Sequence, residues 1–315
     1  MAEIFINQLK SGQEVSATFA LRVKKLMPLR NGTGYYLAVV LGDRTGQLEG
    51  RIWESVFETY HGCKVGDVVK VQGQATEYNG KLQIQISAMS VYQVNEIDPK
   101  RFIPSSALLL ETAREKLFSI LESLQEVHLK SLVSLVLSDE DFMNAFITAP
   151  AAKRNHHATI GGLLEHSLGI VCAAEGMVQV YPNLDRDLLI TGALLHDLGK
   201  VEEYRFRTGI DFTDEGRLLG HIVLGVRLLD HYIGQLPGFP EDLRLKLTHM
   251  IVSHHGQYEW QSPKRPKFIE AAVLHHLDMI DAAVDMFKSA AESRDDPEDH
   301  WSGWIKGLDR YVFCK

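Results

Sequence analysis

The sequence has few cysteines and no long apolar run. Its 315 residues include three cysteines, Cys63, Cys172 and Cys314, which are widely spaced and form no CxxC pair. Such a set excludes a disulfide framework and a cysteine-rich zinc site, and it favours a reducing cytoplasm. Nowhere do 18 apolar residues occur together, and the start lacks a basic segment followed by an apolar run. We therefore expect neither a membrane span nor a signal peptide.

An excess of basic residues is also lacking. The net charge is −8, with 45% hydrophobic and 23% charged residues. This acidity excludes a polybasic nucleic-acid coat, although a local basic surface is compatible with it. The composition is typical of a folded globular protein, and the length predicts about two domains.

Histidine, by contrast, is concentrated in one part of the chain. Eleven of the 14 histidines lie between His156 and His276, where even spreading would place about five. Charge is also divided unevenly, because residues 1–95 carry a net +2 and the remainder a net −10. Imidazoles and carboxylates together attract divalent cations, so the acidic, histidine-rich part predicts a metal site.

Residues 1–95 read as β structure. Short β-rich runs separated by turn signals predict strands over 14–25, 34–41, 46–53, 67–75 and 81–92, with one short helix over 54–60. Asn79-Gly80 is a strong hairpin signal between the last two runs. Five strands with a helix after the third is the order of an OB barrel.

The apolar period becomes helical after Pro104. A polar segment between two prolines predicts a linker over 96–104, and helices follow from Ser105 onward. Their expected positions are 105–124, 129–137, 139–148, 160–180, 186–198, 217–234, 240–254 and 268–290. The irregular stretch 201–214 could be either a hairpin or an active-site loop. The expected domains are thus 1–95 and 105–315.

Five histidine and aspartate segments stand out in the helical part. They contain His166, the pair His196-Asp197, His221, the pair His254-His255, and Asp278. Each lies within or at the end of an apolar helical pattern, where an ionisable group needs a partner to be buried. One or two divalent ions would provide that partner. Asp197, beside a histidine at a helix end, is the natural bridge between two ions.

The order of these segments resembles the HD-domain metal-dependent phosphohydrolase superfamily. Together with the barrel, the chain further resembles the YhaM-type 3′→5′ exoribonuclease family over nearly its full length. The matching motifs are NHHATIGGLLEHSL, ALLHDLGK, LLGH, SHHG and LHHLDMIDA. The resemblance implies a multidomain α and β protein, in which a small all-β OB barrel precedes an all-α HD-domain helical bundle.

The resemblance also implies the metal ligands. One ion would be held by His166, His196, Asp197 and Asp278, and a second by Asp197, His221, His254 and His255. Asp281, one helical turn after Asp278, stays open as an alternative ligand.

Further roles are expected near these ligands. Lys200 would neutralise a scissile phosphate oxygen, or it could instead be a cation at a helix C-terminus. His157 and Arg154 are candidates for phosphate contact or leaving-group protonation. Glu202 and Glu203 read as a solvated face. His231, His249, His275 and His276 read as structural or surface residues.

The barrel carries candidate nucleic-acid contacts. OB barrels bind single strands by stacking bases on aromatic side chains within a basic groove. The candidates are Tyr35, Tyr36, Trp53, Lys24, Lys25 and Arg30, with Arg205 in the helical part lining a path to the metals. Because Tyr35 and Tyr36 are adjacent, only one of them can face the barrel interior, and we expect the other to be exposed.

The resemblance implies a 3′→5′ exonuclease, a phosphodiesterase of the HD superfamily, that hydrolyses single-stranded RNA by a metal-activated hydroxide. Single-stranded DNA as a substrate and a homo-oligomeric state stay open. Mn²⁺ is the expected metal, and Fe, Co, Ni and Zn also suit mixed nitrogen and oxygen ligands. One alternative is an HD phosphohydrolase of free or cyclic nucleotides with a regulatory OB domain. Another is a non-enzymatic nucleic-acid tether.

Overall fold

The computed structural model describes residues 4–29, 32–93, 97–106, 108, 110–153, 157–292 and 300–314. The chain divides into two compact units. One comprises residues 1–104 with 206–210, and the other comprises residues 105–205 with 211–315. Two predicted nucleic-acid contacts, Arg30 and Arg154, lie outside the described residues.

The first unit is a closed five-stranded barrel. Its strands are β1 (Glu14–Pro28), β2 (Tyr35–Asp43), β3 (Gly46–Ile52), β4 (Val68–Tyr78) and β5 (Lys81–Val91), with helix α1 (Val56–Gly62) after β3. The strand order around the barrel is β1-β2-β3-β5-β4. Only the β3–β5 pair is parallel among the pairings of this barrel. The predicted OB-like barrel is confirmed.

Strand alternation fills the barrel. Leu37, Val39 and Leu41 of β2 are buried, as are Phe19 and Ile84 from neighbouring strands. Side chains that alternate along a strand point to opposite faces, so every second residue of β2 enters the interior.

The predicted hairpin turn is present between β4 and β5. Asn79 and Gly80 both have positive φ, at 51° and 73°, and Tyr78 pairs with Lys81. Two central residues of positive φ are what a type I′ turn requires.

The segment expected to be a linker packs on the barrel instead. Phe102 is buried together with Ala20 and Val68, and Arg101 donates a hydrogen bond to the carbonyl of Thr18 at 3.1 Å. A buried aromatic side chain gains free energy by leaving water, which fixes this segment against the first unit.

The second unit is helical. Its helices are α2 (Leu110–Ser123), α3 (Val127–Ser138), α4 (Glu140–Thr148), α5 (Gly162–Val180), α6 (Arg186–Leu195), α7 (Lys200–Glu203), α8 (Asp214–Leu218), α9 (Gly220–Ile233), α10 (Glu241–Ser253) and α11 (Ile269–Glu292). Two short strands, β6 (Tyr204–Phe206) and β7 (Ile210–Phe212), pair with each other, so the stretch left open as hairpin or loop contains a hairpin.

Helix α6 lies at the centre of the helical core. Every residue from Asp187 to Leu195 is buried, and α6 contacts α3, α5, α10 and α11. Asp185 caps its N-terminus by accepting a hydrogen bond from the backbone N–H of Leu188 at 3.1 Å. The residues that follow α6, His196 and Asp197, therefore lie in the interior of the unit.

Two expected helices are shorter than predicted. The helix expected over 186–198 ends at Leu195, and the one expected over 217–234 is divided at Gly220, whose φ is +72°. A left-handed residue cannot continue a right-handed helix, and glycine adopts that conformation without strain. Among the described residues, no helix combines the length and the apolar character needed to cross a membrane.

Candidate metal centre

Asp197 lies between four imidazole rings. Its Oδ2 is 3.4 Å from Nε2 of His166 and 3.3 Å from Nε2 of His196. Its Oδ1 is 3.6 Å from Nε2 of His221 and 3.5 Å from Nε2 of His254. Asp197 follows α6 by two residues and is 1% exposed. One carboxylate thus faces two separate sets of donors.

The first ligand group consists of Nε2 of His166, Nε2 of His196, Oδ2 of Asp197 and Oδ1 of Asp278. The two imidazole nitrogens are 3.3 Å apart, and Oδ1 of Asp278 is 3.4 Å from Nε2 of His166. These residues come from α5, the end of α6 and α11, which are distant in sequence.

The second ligand group consists of Asp197 Oδ1 with His221, His254 and His255. The three histidines offer nitrogen atoms that lie within 4.8 Å of one another. His221 stands in the first turn of α9, while His254 and His255 follow the end of α10. The structure therefore brings together all seven side chains predicted as ligands.

Buried atoms of the second group support a metal site. Among the described residues, Asp197 Oδ1, His221 Nε2 and His254 Nε2 are buried without a hydrogen-bond partner. Ligands held about 2.1 Å from one ion lie about 3–3.5 Å apart, close to the separations seen here. Unpaired buried polar atoms are costly, and a cation between these three would pair them all. The residues present therefore fit a divalent metal.

The second nitrogen of each ring is held by an acceptor. Two rings contact carboxylates through Nδ1: His166 contacts Asp281 Oδ2 at 2.7 Å, and His221 contacts Glu203 Oε1 at 3.1 Å. The other three contact backbone carbonyls through Nδ1: His196 that of Ala193 at 2.9 Å, His254 that of Ile251 at 2.7 Å, and His255 that of Trp260 at 2.9 Å. An acceptor at Nδ1 requires the proton there, so a neutral ring keeps its Nε2 lone pair for a metal.

The two aspartates of α11 occupy different sides of His166. Asp278 lies on the Nε2 side with the other ligands, whereas Asp281 accepts the hydrogen bond from Nδ1. One turn of helix separates them, which places both beside the same ring. The geometry thus favours Asp278 as the ligand and makes Asp281 the residue that orients His166.

Charge in the first group also favours a cation. Burial opposes ionisation, but the carboxylates of Asp197, Asp278 and Asp281 outweigh it and raise the pKa of His166 well above its usual value. Burial also opposes the ionisation of Asp278, which would raise its pKa, but the surrounding imidazoles outweigh burial and lower the pKa well below the usual range. These environments favour positive charge at the centre of the group, which a divalent cation would supply.

Lys200 contacts the carboxylate of Asp197. Its Nζ is 2.6 Å from Asp197 Oδ2, and the residue is buried at 7% exposure. Burial lowers the pKa of Lys200, but Asp197 outweighs this effect and raises it. Lys200 is the first residue of the four-residue α7 and follows the end of α6 by five residues, so it does not lie in the last turn of α6.

His157 lies on the Nδ1 side of His166, where both rings contact Asp281. Its Nε2 is 2.9 Å from Asp281 Oδ2, and its backbone N–H donates to Asp285 at 2.9 Å. Burial alone would lower the pKa of His157, but hydrogen bonds to Asp281 and Glu165 raise it to about 9. The structure places this residue outside both ligand groups, next to the aspartate that orients His166.

Glu203 was expected on a solvated face, and that expectation is wrong. The side chain is 5% exposed, and its Oε1 accepts hydrogen bonds from the backbone N–H of His221 at 3.0 Å and from Nδ1 of the same residue at 3.1 Å. The neighbouring Glu202 is exposed, as expected. Because the two glutamates are adjacent and chemically identical, the sequence does not indicate which of them is exposed and which contacts His221.

His275 and two glycines shape the backbone of the site. Nδ1 of His275 lies 2.7 Å from the carbonyl of His254, and a Cβ at Gly256 would meet the His275 ring at 2.3 Å. A Cβ at Gly199 would lie 2.0 Å from the carbonyl of His221. Side chains at these glycines would push His254 and His221 from their positions.

The barrel presents an aromatic cluster on β2, β3 and the β4–β5 hairpin. Tyr36 and Trp53 are stacked, with ring centroids 4.8 Å apart and an interplanar angle of 27°. The guanidinium of Arg51 lies 5.8 Å from the Tyr36 ring and 5.0 Å from the Tyr78 ring. These are the strands and loop that OB folds use for single strands.

The other predicted contacts are more dispersed. Neither tyrosine is buried, since Tyr35 is 50% exposed at the barrel end and Tyr36 is half-buried. Tyr35 lies on the same side of β2 as Leu37 and Val39, so at most one of the two tyrosines is directed to the interior, as expected. The ammonium of Lys24 donates to the carbonyls of Tyr60 and Cys63 at the end of α1, a structural role. Lys25 is exposed, and Arg205 is exposed near Asp211 at 3.9 Å.

Comparison with known proteins agrees with this architecture. Residues 163–283 match the HD domain family, and residues 18–92 match an OB-fold nucleic acid binding domain family. The chain is 33% identical over 258 residues to the 3′-5′ exoribonuclease YhaM of Geobacillus sp. (strain WCH70), covering 82% of this chain and 79% of the relative. The chain belongs to the YhaM family.

The HD match in this YhaM family member contains every residue of the two ligand groups and leaves out His157. The chain is thus a hydrolytic enzyme of the HD superfamily.

Two solved structures resemble the barrel. The second OB-fold domain of replication protein A from Methanococcus maripaludis is 20% identical, covering 30% of this chain and 98% of that one, with a TM-score of 0.25. The SSB domain of a Synechococcus protein is 13% identical, covering 26% and 96%, with a TM-score of 0.23. A likeness of this size carries no argument about function.

Proposed function

We propose that this YhaM family enzyme removes mononucleotides from the 3′ end of single-stranded RNA. The observation that carries the proposal is the pair of ligand groups joined by Asp197, with three buried ligand atoms left without hydrogen-bond partners among the described residues. Paired sites sharing a carboxylate are typical of metal-assisted phosphodiester hydrolysis. The family's exoribonuclease member supports the substrate and the direction.

The metal would be held by residues already in position. His166, His196, Asp197 and Asp278 would hold one ion, and Asp197, His221, His254 and His255 would hold a second. Divalent ions supply a bound water of lowered pKa and neutralise phosphate charge. We propose Mn²⁺ as the native ion, because mixed imidazole and carboxylate ligands suit it; Fe, Co, Ni and Zn are the competing outcomes of metal analysis.

The chain's own groups prepare the site for this chemistry. Hydrogen bonds at Nδ1 fix the ligand rings, so little reorganisation is needed on binding. Lys200 lies against Asp197 and keeps that carboxylate ionised. We propose that its ammonium also contacts the scissile phosphate, and that Arg205 contacts the backbone of the incoming strand.

The barrel would hold the upstream strand. Trp53 and Tyr36 offer stacked rings for bases, and Arg51 adds a cation beside them. Base stacking on aromatic rings tolerates any sequence, which suits an enzyme that degrades RNA processively or in steps. We place the enzyme in the cytoplasm, a proposal that rests on the scattered cysteines.

A time course with 5′-labelled single-stranded RNA and Mn²⁺ tests the proposal. We expect a ladder that shortens from the 3′ end, and immediate release of labelled mononucleotide when the label is at the 3′ end. The same sequence as DNA measures the preference between sugars. Intact RNA together with hydrolysed free or cyclic nucleotides would refute the proposal in favour of a nucleotide phosphohydrolase.

A further inference from the structure

The described C-terminal residues, 300–314, form a short hairpin with two different faces. Backbone bridges join Trp301 to Phe313 and Ile305 to Arg310. One face is buried, because Val312 and Cys314 form a small apolar cluster with Ala290 of α11. Ile305 and Leu308 pack against the same cluster, whereas the four aromatic residues of the hairpin stay exposed.

The outer face of this hairpin is aromatic. Trp301, Trp304, Tyr311 and Phe313 are 53%, 54%, 58% and 55% exposed. They form two edge-to-face pairs, with centroids 5.2 Å apart for Trp301 and Phe313 and 5.1 Å apart for Trp304 and Tyr311. An edge-to-face pair covers at most one face of one ring. Trp304 and Tyr311 each keep more than half of their surface exposed beyond this contact, and exposed apolar groups gathered in one patch are typical of interaction sites.

The charge of the hairpin differs from that of the rest of its unit. Lys306, Asp309 and Arg310 are exposed in the same hairpin as the rings, and Nε of Arg310 donates to the carbonyl of Leu308 at 2.9 Å. The sequence from residue 96 onward has a net charge of −10. Two cations and one carboxylate give the hairpin a net positive charge within an acidic unit, which is complementary to a polyanion that carries flat bases.

We propose that the outer face of this hairpin binds single-stranded RNA, with bases stacked on Trp304 and Tyr311 and phosphates paired with Lys306 and Arg310. The inference rests on the proposed function for the identity of the polymer. This hairpin would give the helical unit an RNA-binding surface of its own, in addition to that of the barrel.

The position along α11 is consistent with this role. Asp278 and Ala290 lie on the same helix, 12 residues apart, which corresponds to about 18 Å along its axis. The ligand groups and the aromatic face thus belong to one unit. A strand several nucleotides long could contact both, whereas a mononucleotide could not.

Binding of a fluorescent 20-nucleotide RNA to the full chain tests the inference. Measurements are made in an Asp197→Asn background, so that the RNA is not consumed. The double variant Trp304→Ala, Tyr311→Ala should bind about 30-fold more weakly or worse, because two stacking rings are lost. Lys306→Gln with Arg310→Gln should reduce the slope of log K against log salt by about 1.4.

Phe118→Ala is the matched control, because Phe118 is 62% exposed on α2 of the same unit. Unchanged thermal unfolding and light scattering establish that the variants fold and keep their mass. Unchanged RNA affinity in the double variant overturns the inference, and unchanged affinity with a fall in mass shows instead an interface between two copies of the chain. Weaker binding supports the inference even if the wild-type chain produces no RNA ladder, an outcome that would refute only the proposed function.

Discussion

The barrel and the helical unit both bury apolar side chains, but they differ in the ionisable groups that they bury. The barrel interior is apolar, and its buried carboxylate, Asp43, is satisfied by backbone N–H groups of Ile6 and Thr45 at 2.7 Å. In the helical unit, His166, His196 and His254 are at most 1% exposed and converge on one carboxylate. Burying ionisable groups costs free energy. Where many are gathered around one point, the fold is maintaining a site rather than filling a core.

The candidate functional groups of the barrel are at least partly exposed, whereas those of the helical unit are mostly buried. The barrel's candidate contacts, Tyr36, Trp53 and Arg51, lie outside its core. Loss of one should weaken binding without changing the chemistry. Loss of a buried group in the helical unit should change the chemistry and the metal content together. Four substitutions test this difference.

Asp197→Ala should have the largest effect. Removing a carboxylate shared by both ligand groups should lower the rate of RNA cleavage by more than about a thousandfold and should release bound metal. Single-turnover cleavage and elemental analysis of protein purified without chelators measure these effects. Glu215→Ala removes an exposed carboxylate on α8 and should change neither. Full activity with full metal content in Asp197→Ala would mean that the site lies elsewhere.

Glu203→Ala should weaken metal binding about 10- to 100-fold. The substitution removes the acceptor that orients His221, and residues that orient a ligand typically contribute this much to metal affinity. Calorimetric titration with Mn²⁺ measures the affinity directly. Glu202→Ala is the matched control, since that side chain is exposed next to Glu203. Equal effects of both substitutions would remove the distinction between a solvated and an orienting glutamate.

Trp53→Ala should reduce affinity for single-stranded RNA about tenfold. The stack with Tyr36 is lost, but no ligand of the helical unit is touched. Cleavage of a trinucleotide should therefore stay at the wild-type rate. Tyr92→Ala, which removes another exposed barrel aromatic at 45% exposure, serves as control. If trinucleotide cleavage fell as much as binding, the barrel would contribute to more than strand retention.

Asp139→Ala should have the smallest effect, on stability alone. Asp139 caps α4 by accepting the backbone N–H of Phe142 at 3.0 Å, so its loss should destabilise the helical unit by about 1 kcal/mol at pH 7. The hydrogen bonds from Phe142 and Tyr232 lower the pKa of Asp139. A lowered pKa means that the contribution is complete at neutral pH and is lost as the pH falls below about 4.

Urea unfolding at pH 7 and pH 3 measures this difference. Asp141→Ala, an exposed acidic residue in the same helical turn, should change stability by a few tenths of a kcal/mol. A difference between Asp139→Ala and wild type that grew at low pH would contradict the sign.

Elements with strong local signals could be predicted from the sequence. The strand expected over 46–53 is Gly46–Ile52, and Asn79-Gly80 forms the expected turn. The ligand set could be predicted because five histidine and aspartate segments occur in an order shared with a known superfamily. Their role as metal ligands stays a prediction that the geometry supports.

Features set by tertiary packing could not be predicted. Glu203 differs from Glu202 only in what folds over it, and no local pattern distinguishes them. In the sequence, Lys24 has no feature that separates it from a surface lysine, and its contact with the carbonyl of Tyr60 in α1 depends on the fold. The division of the helix at Gly220 depends on a left-handed residue that a periodic apolar pattern does not show.

The carboxylate of Asp197 would make the two ligand groups thermodynamically dependent on each other. It is already buried against Lys200, so an ion at either group would meet an oxygen whose rotamer freedom is largely lost before binding. By linkage, any factor by which one ion changed the affinity for the other would act equally in the opposite direction. Repulsion between two cations that share one carboxylate would make that factor smaller than one, so the two ions would bind in separable steps.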